Sequence, residues 1–177
     1  MLDDKEPIDI IYLDFKKAFD SVPHERLMLK LSSYGIQGNV QLWIRNFLAD
    51  RTQRVRVGKD RSRETRVLSG IPQGSILGPI LFTIFINDLS DCVEGACKIF
   101  ADDTKLYGKA TEGESLQKDL NALHEWSHQW KLYFNITKCK VMHIGNNNPG
   151  HIYFMTQDDK DLAMADCQEE KDFGSFV

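Results

Sequence analysis

The sequence predicts an α+β fold in which a small antiparallel sheet is backed by helices, and three observations carry that prediction. Short β-branched and aromatic runs end on carboxylates, several segments space their apolar residues at helical intervals, and hairpins separate the helices where strict βαβ alternation would place single strands. The 177 residues are 42% hydrophobic and include ten Phe, three Trp and five Tyr, enough apolar material for one sizeable core.

Taken in order, IDIIYLDF (Ile8 to Phe15) reads as a buried strand that ends on a carboxylate. In PHERLMLKLSSYG, Leu27, Leu31 and Tyr34 fall at i, i+4 and i+7, with Pro23 suited to a first turn and Gly35 to a C-terminal stop. Val40, Trp43, Ile44, Phe47 and Leu48 make the apolar stripe of a second helix. TQRVRVGKDRSRETRVLSG alternates Val55 and Val57 with arginines around Gly58, which predicts a basic hairpin with a loose turn. A helix from Leu77 to Leu89 is apolar on nearly every side and is expected to run through the middle of the core. Strand, turn and strand follow over Lys98 to Tyr107, with Asp102 and Asp103 at the tip. Leu116, Leu120, Leu123 and Trp130 mark the inner face of a long helix reaching Lys131, and CKVMHIG reads as a strand. In the looser tail HIYFM and DFGSFV are strand candidates, and no repeat or low-complexity segment appears.

A net charge of -4, from 22 basic and 26 acidic residues, excludes nucleic-acid binding driven by overall charge and requires a local basic surface instead. One exists between Arg45 and Arg66, where seven arginines and Lys59 are set against Asp50, Asp60 and Glu64. Cys92, Cys97, Cys139 and Cys167 form no C-x-x-C pair and no zinc-ribbon spacing, so they read as reduced thiols of an intracellular protein, nuclear or cytoplasmic. The acidic start MLDDKEP has no apolar h-region, and a protein that is not secreted is expected. The longest apolar run, ILGPILFTIFI, is too short for a bilayer and is interrupted by Gly78 and Pro79, so no membrane partner is expected.

Asp102 and Asp103 stand side by side in CKIFADDTKLY, flanked by residues that favour burial. Like charges in contact repel unless a cation lies between them. In a straight strand the two would point to opposite faces, and a hairpin tip supplies the turn that lets both approach one site. Asp-Asp is also a common turn dipeptide. Asp14 ends an apolar strand in the same way, and two such strands side by side would bring three carboxylates to one sheet edge. Oxygen-only ligands suit Mg²⁺, which keeps several waters and takes the rest of its shell from one or two carboxylates and substrate phosphates. Two such ions about 3.5 to 4 Å apart serve phosphoryl transfer by activating an attacking hydroxyl and neutralising a leaving pyrophosphate.

YLDFKKAFDSV, SGIPQGSILGPILFTIFINDL and FADDTKLY, in this order, resemble motifs A, B and C of the reverse transcriptases of non-LTR (LINE-type, jockey-like) retrotransposons. LQKDLNALHEWSHQWKLYFNITKCKVMHIG resembles the helix and motif D that follow, and EEKDFGSFV the start of motif E. The resemblance implies a polymerase palm over residues 1–145, with residues 146–177 as an incomplete, motif E-like C-terminal extension. It implies an RNA-directed DNA polymerase that adds deoxynucleoside triphosphates to a DNA primer end on an RNA template, using two Mg²⁺ ions, or Mn²⁺ in their place. The metal ligands it implies are Asp14 and Asp102, with Asp103 as the second acid of motif C and a contribution from the Phe15 backbone carbonyl. Phe19 matches the aromatic that closes the family's pocket against a ribose 2′-hydroxyl. Gln73 and Gly74 match the pair that lies against the incoming nucleotide and template, while Gly70, Pro72 and Gly78 shape the loop. Lys138 matches a motif D lysine that protonates the leaving pyrophosphate.

Arg54, Arg56 and Arg61 of the basic hairpin are candidates to contact phosphates of RNA or of a template-primer duplex. Plainer roles stand beside these: Phe19 as core, Lys138 as a solvated loop lysine, and the arginines as a charged edge that discourages sheet pairing. HEWSH (His124 to His128) also satisfies the H-E-x-x-H zinc-protease signature, with His143, His151 or Glu169 as third-ligand candidates. No histidine follows at the H-x-x-G-x-x-H spacing, and the polymerase resemblance accounts for the same helix. Family enzymes carry fingers before motif A and a thumb after motif E, so this chain is expected to be weak or inactive alone, with those segments supplied by a longer chain. Two other readings stay open: a domesticated or remnant palm acting only as an RNA- or protein-binding module, and an unselected product of a truncated element.

Overall fold

A computed structural model of the chain describes residues 6–169 together with 171–172 and 175–176. The chain runs through β1 (Ile8–Leu13), α1 (Ala18–Ser21), α2 (His24–Ser33) and α3 (Gly38–Leu48). Four two-residue strands follow, β2 (Thr52–Gln53), β3 (Arg56–Val57), β4 (Asp60–Arg61) and β5 (Thr65–Arg66), and then α4 (Leu77–Ile86). The second half holds β6 (Ala96–Phe100), β7 (Asp103–Lys109), α5 (Gly113–Trp130), β8 (Lys140–Ile144), β9 (Phe154–Gln157), β10 (Lys160–Ala163) and β11 (Ala165–Asp166). These elements gather into two compact units that cut across the motif order. One comprises Met1–Lys16, Asp88–Gln129 and Tyr133–Val177, and the other Lys17–Asn87 and Trp130–Leu132. No helix of the described residues is long and apolar enough to cross a membrane.

The first unit is built on a five-stranded sheet of order β11-β8-β1-β7-β6, antiparallel except where β11 joins β8. Strand alternation decides its faces: Asp9, Ile11 and Leu13 of β1 are buried, while Ile8, Ile10 and Tyr12 between them are only half-buried. Leu106 of β7 and Val141 of β8 are buried as well. α5 supplies the second layer through Leu116, Leu120 and Leu123, the i, i+4, i+7 stripe the sequence predicts, with Trp126 as the buried aromatic; Trp130, expected on that stripe, is half-buried and belongs to the second unit. Leu116 lies against β7, since a Cβ added at Gly108 would sit 3.5 Å from its Cδ1. Buried Asp119 of α5 ties down the turn before β6 by accepting the Glu94 and Gly95 backbone N–H groups, each at 2.9 Å. The HIYFM segment forms part of β9, which pairs antiparallel with β10. Of EEKDFGSFV, Glu170, Phe173, Gly174 and Val177 lie outside the described residues, and backbone 171–172 pairs with 175–176. All four cysteines are free, and burial pushes the Cys97 and Cys139 thiols up to about 11.

Asp9 places a carboxylate on the inward face of the central strand with no exposure to solvent. It accepts hydrogen bonds from Tyr153 Oη at 2.6 Å, His143 Nδ1 at 2.7 Å and Asn148 Nδ2 at 2.8 Å. Burial alone pushes its pKa up, but those three donors and the charge of His143 outweigh it and hold the carboxyl below the usual carboxylate value. Burial and the Asp9 charge push the Tyr153 phenol well above the usual tyrosine range. The network joins β1 to β8 and to the chain ahead of β9.

In the second unit α2 packs against both α3 and α4. Leu27 and Leu31 are buried as the helical spacing predicts, whereas Tyr34 is 44% exposed. Buried Lys30 is accommodated by aromatic faces, its Nζ 3.7 Å from the Trp130 ring centroid and 5.9 Å from that of Phe85. Two expectations are corrected here. Of the α3 stripe only Ile44 and Leu48 are buried; Val40 and Trp43 are exposed, and Trp43 stacks on Phe47 with centroids 6.0 Å apart. α4 ends at Ile86 and is covered on one side, through Leu81, Phe82, Phe85 and Ile86, while Ile76 and Ile80 are exposed. The arginine segment forms the predicted hairpin, β2 with β5 and β3 with β4, with Gly58 at φ +61° in its two-residue turn and every strand residue exposed.

Candidate active site at the sheet edge

The register Leu13↔Thr104 between β1 and β7, continued by one residue, sets Asp14 across from Asp103. Alternation carries both to the half-open face shared by Tyr12, Lys105 and Tyr107, and away from buried Leu13 and Thr104. A cavity of about 80 Å³ is lined by Leu13, Asp14, Asp103, Thr104, Lys105 and Lys138. Asp102 is the exposed tip residue, preceded by Ala101 in the left-handed region (φ +54°), and it does not line that cavity. The structure thus brings Asp14 together with Asp103, and sets Asp102 at the turn beside them.

The segment after Asp14 is held by Tyr133–Asn135. Asn135 N–H donates to the Asp14 carbonyl at 2.7 Å and Lys16 N–H to the Tyr133 carbonyl at 2.8 Å, bracketing a Phe15–Phe134 bridge whose rings stack at 4.5 Å. These bonds use the Asp14 carbonyl and leave that of Phe15 out of the bridge, as an antiparallel ladder requires. A turn follows in which Lys138 N–H donates to the Asn135 carbonyl and Thr137 Oγ1 to Asn135 Oδ1. It sets Lys138 Nζ 3.5 Å from Asp14 Oδ2, a partly exposed ion pair.

Among the described residues no three His, Cys, Asp or Glu side chains gather into a metal-holding group. The cavity offers the two carboxylates of Asp14 and Asp103, while the buried Thr104 hydroxyl, whose Oγ1 has no hydrogen-bond partner, lies on the opposite face of β7. A pair of carboxylates with no nitrogen or sulfur donor between them fits a hard divalent cation that takes one or two carboxylates and completes its shell with water and phosphate.

The remaining motif residues lie in the second unit. Phe19 is half-buried and stacks on Phe82 with centroids 4.6 Å apart, and its carbonyl accepts the Ile71 N–H at 2.7 Å. Gly70 N–H bonds the Val22 carbonyl, Ser69 Oγ the Asp20 carbonyl, and Gln73 Nε2 donates to Asp20 Oδ1 at 3.2 Å. The motif B loop is strapped onto α1 in this way, with Asp20 an anchor the sequence did not single out. Gly74 needs glycine for its φ of +80°, since no atom lies within 4 Å of an added Cβ. Gly70 needs it on both counts: φ is +86°, and a Cβ would lie 2.6 Å from the Asp20 Cα and carbonyl oxygen. Gly70→Ala is therefore expected to lower stability by about 3 kcal/mol, read as a reduced urea midpoint with an unchanged slope.

Arg54 pairs with Glu64, and Arg56 Nε donates to the Gly58 carbonyl at 3.0 Å. Arg56 and Arg61 are direct cross-strand partners. Like charges so opposed destabilise a hairpin, and an anion would relieve them. On α5, His124 and His128 share a face with Nε2 atoms 3.2 Å apart, but Glu125 is exposed and no third ligand joins them among the described residues. The three-ligand zinc centre of a protease is not formed there.

Residues 3–171 match the family described as reverse transcriptase (RNA-dependent DNA polymerase). Similar curated proteins include the RNA-directed DNA polymerase from mobile element jockey of Drosophila melanogaster, 31% identical over 159 residues, which covers 82% of this chain and 17% of that protein. Its namesake from Drosophila funebris is 34% identical over 150 residues, covering 78% and 16%. The chain thus spans about one-sixth of the length of these relatives. Among solved structures, telomerase from Candida tropicalis in complex with a TWJ fragment of telomeric RNA aligns with a TM-score of 0.60 at 13% identity, over 89% of this chain and 29% of that one. That likeness shows a shared fold, and the α+β palm-like architecture expected from the sequence is the one observed. The chain belongs to the reverse transcriptase (RNA-dependent DNA polymerase) family, with non-LTR retrotransposon polymerases as its relatives.

Proposed function

We propose that the chain is the palm of an RNA-directed DNA polymerase, with residues 1–145 forming the palm and the remainder beginning the next segment, and that it extends a DNA primer on an RNA template with deoxynucleoside triphosphates. The observation that carries this reading is the meeting of Asp14 and Asp103 at one cavity on the open edge of the sheet, beside the tip residue Asp102. Asp14, Asp102 and Asp103, with the Phe15 carbonyl, would hold two Mg²⁺ ions or Mn²⁺ in their place. When bound, such ions activate the attacking primer hydroxyl and neutralise the leaving pyrophosphate.

The chain's own residues supply the rest. Lys138 sets its Nζ 3.5 Å from Asp14 Oδ2, where it would donate to a leaving pyrophosphate oxygen. Phe19, held by Phe82, presents a rigid wall that a 2′-hydroxyl would meet. By the motif B resemblance Gln73 and Gly74, on a loop fixed to α1, would meet nucleotide and template, and the opposed Arg56 and Arg61 with Arg54 would neutralise backbone phosphates.

The test is primer extension on an RNA template with Mg²⁺, by the chain alone and by the chain joined to the flanking segments of a jockey-type relative. Weak extension alone and robust deoxynucleotide incorporation in the joined protein support the reading. RNA binding without incorporation in both forms would instead make the chain a binding module.

A further inference from the structure

The histidine pair of α5 has no part in the polymerase reading. His124 and His128 lie one helical turn apart and bring their Nε2 atoms to 3.2 Å, with ring centroids 4.5 Å apart. Two neutral imidazoles can share a proton at that distance. It is also the edge of a tetrahedron of nitrogens around zinc, about 3.3 Å for bonds of 2.0 to 2.1 Å.

Both rings are oriented from outside the helix. The Thr156 backbone hydrogen-bonds the His124 ring, and the Tyr133 ring packs edge-on against His128 at 5.1 Å and 77°. Support of that kind is what holds ligating histidines in register. A cavity of about 300 Å³ opens beside the pair, lined in part by Ser127, Thr156, Lys16 and Asp158. Lys16 and Asp158 bring one charge of each sign. At about 30 Å³ per water there is room to complete a coordination shell.

We propose that His124 and His128 form an exchangeable binding site for a divalent transition-metal ion of the zinc class, with water in the remaining positions. With two protein ligands the site does not build the protease centre that its sequence motif suggests. Imidazole nitrogen selects Zn²⁺, Ni²⁺ and Cu²⁺ over Mg²⁺, which separates this site chemically from the carboxylate edge.

Calorimetric titration of the reduced chain with Zn²⁺ in excess Mg²⁺ tests the site. The expected result is one equivalent bound, weakened about tenfold or more in both H124Q and H128Q, with Cu²⁺ tighter than Zn²⁺. His128 is exposed, so H128Q keeps the fold, and Zn²⁺ should raise the melting temperature of the parent chain but not of that variant. Zinc affinity unchanged in H128Q, as for an ion on Cys92 and its neighbours, or zinc displaced by Mg²⁺, would overturn the proposal.

Discussion

Asp102→Ala and Asp14→Ala, each introduced into the chain joined to its flanking segments, are expected to reduce primer extension by at least about a thousandfold. Stability should change little. Asp102 is an exposed turn residue, so its removal falls within about 0.5 kcal/mol. Asp14 gives up an ion pair with Lys138 whose side chains are 39% and 63% exposed, worth about 1 kcal/mol at most. Loss of activity with the melting transition preserved is the signature of a group that acts on substrate or its ions. Extension retained to within tenfold in Asp14→Ala would remove the carboxylate edge from the chemistry.

Asp9→Ala is expected to have the opposite profile, a loss of about 3 to 5 kcal/mol in stability with no direct effect at the sheet edge. The substitution strands Tyr153 Oη, His143 Nδ1 and Asn148 Nδ2 around a buried space that had held their common acceptor. The pH dependence has a definite sign. The folded pKa of Asp9 lies below the ordinary carboxylate value, so the stabilisation is complete above about pH 4 and fades as the pH falls through the lowered folded value. Urea midpoints of the parent chain and Asp9→Ala should therefore differ widely at neutral pH and converge in acid. A difference below about 1 kcal/mol at pH 7 would mean that the three donors find other partners.

The elements that position the carboxylates were readable because their periodicities are local. β1, the β6–β7 hairpin, α5 and β8 announce themselves by alternation or by i, i+4 spacing, and the Val55/Val57 alternation around Gly58 gives the basic hairpin. The motif residues Asp14, Gln73, Gly74, Asp102 and Asp103 were readable from their order along the chain. Which acid would share a cavity with Asp14 was not. That depends on the β1–β7 register, which selects Asp103 and turns its neighbour toward the tip.

Asp9 was missed for a related reason. Alternation with Ile11 and Leu13 already marks it as inward-facing, but its partners His143, Asn148 and Tyr153 lie far along the chain in stretches of weak periodicity. The burial of α4 was misread because a helix apolar all round carries no polar face to say which side meets solvent. Packing leaves Ile76 and Ile80 outside.

Titration of the isotope-labelled chain with Mn²⁺, followed by paramagnetic broadening of backbone amides, bears most directly on the shared edge. The amides of Asp14, Asp103 and Thr104 are predicted to broaden together at low Mn²⁺, and Asp14→Ala should abolish the effect at all three. Broadening at Asp103 that survives Asp14→Ala, or that spares Asp14 altogether, would contradict a common metal-holding edge.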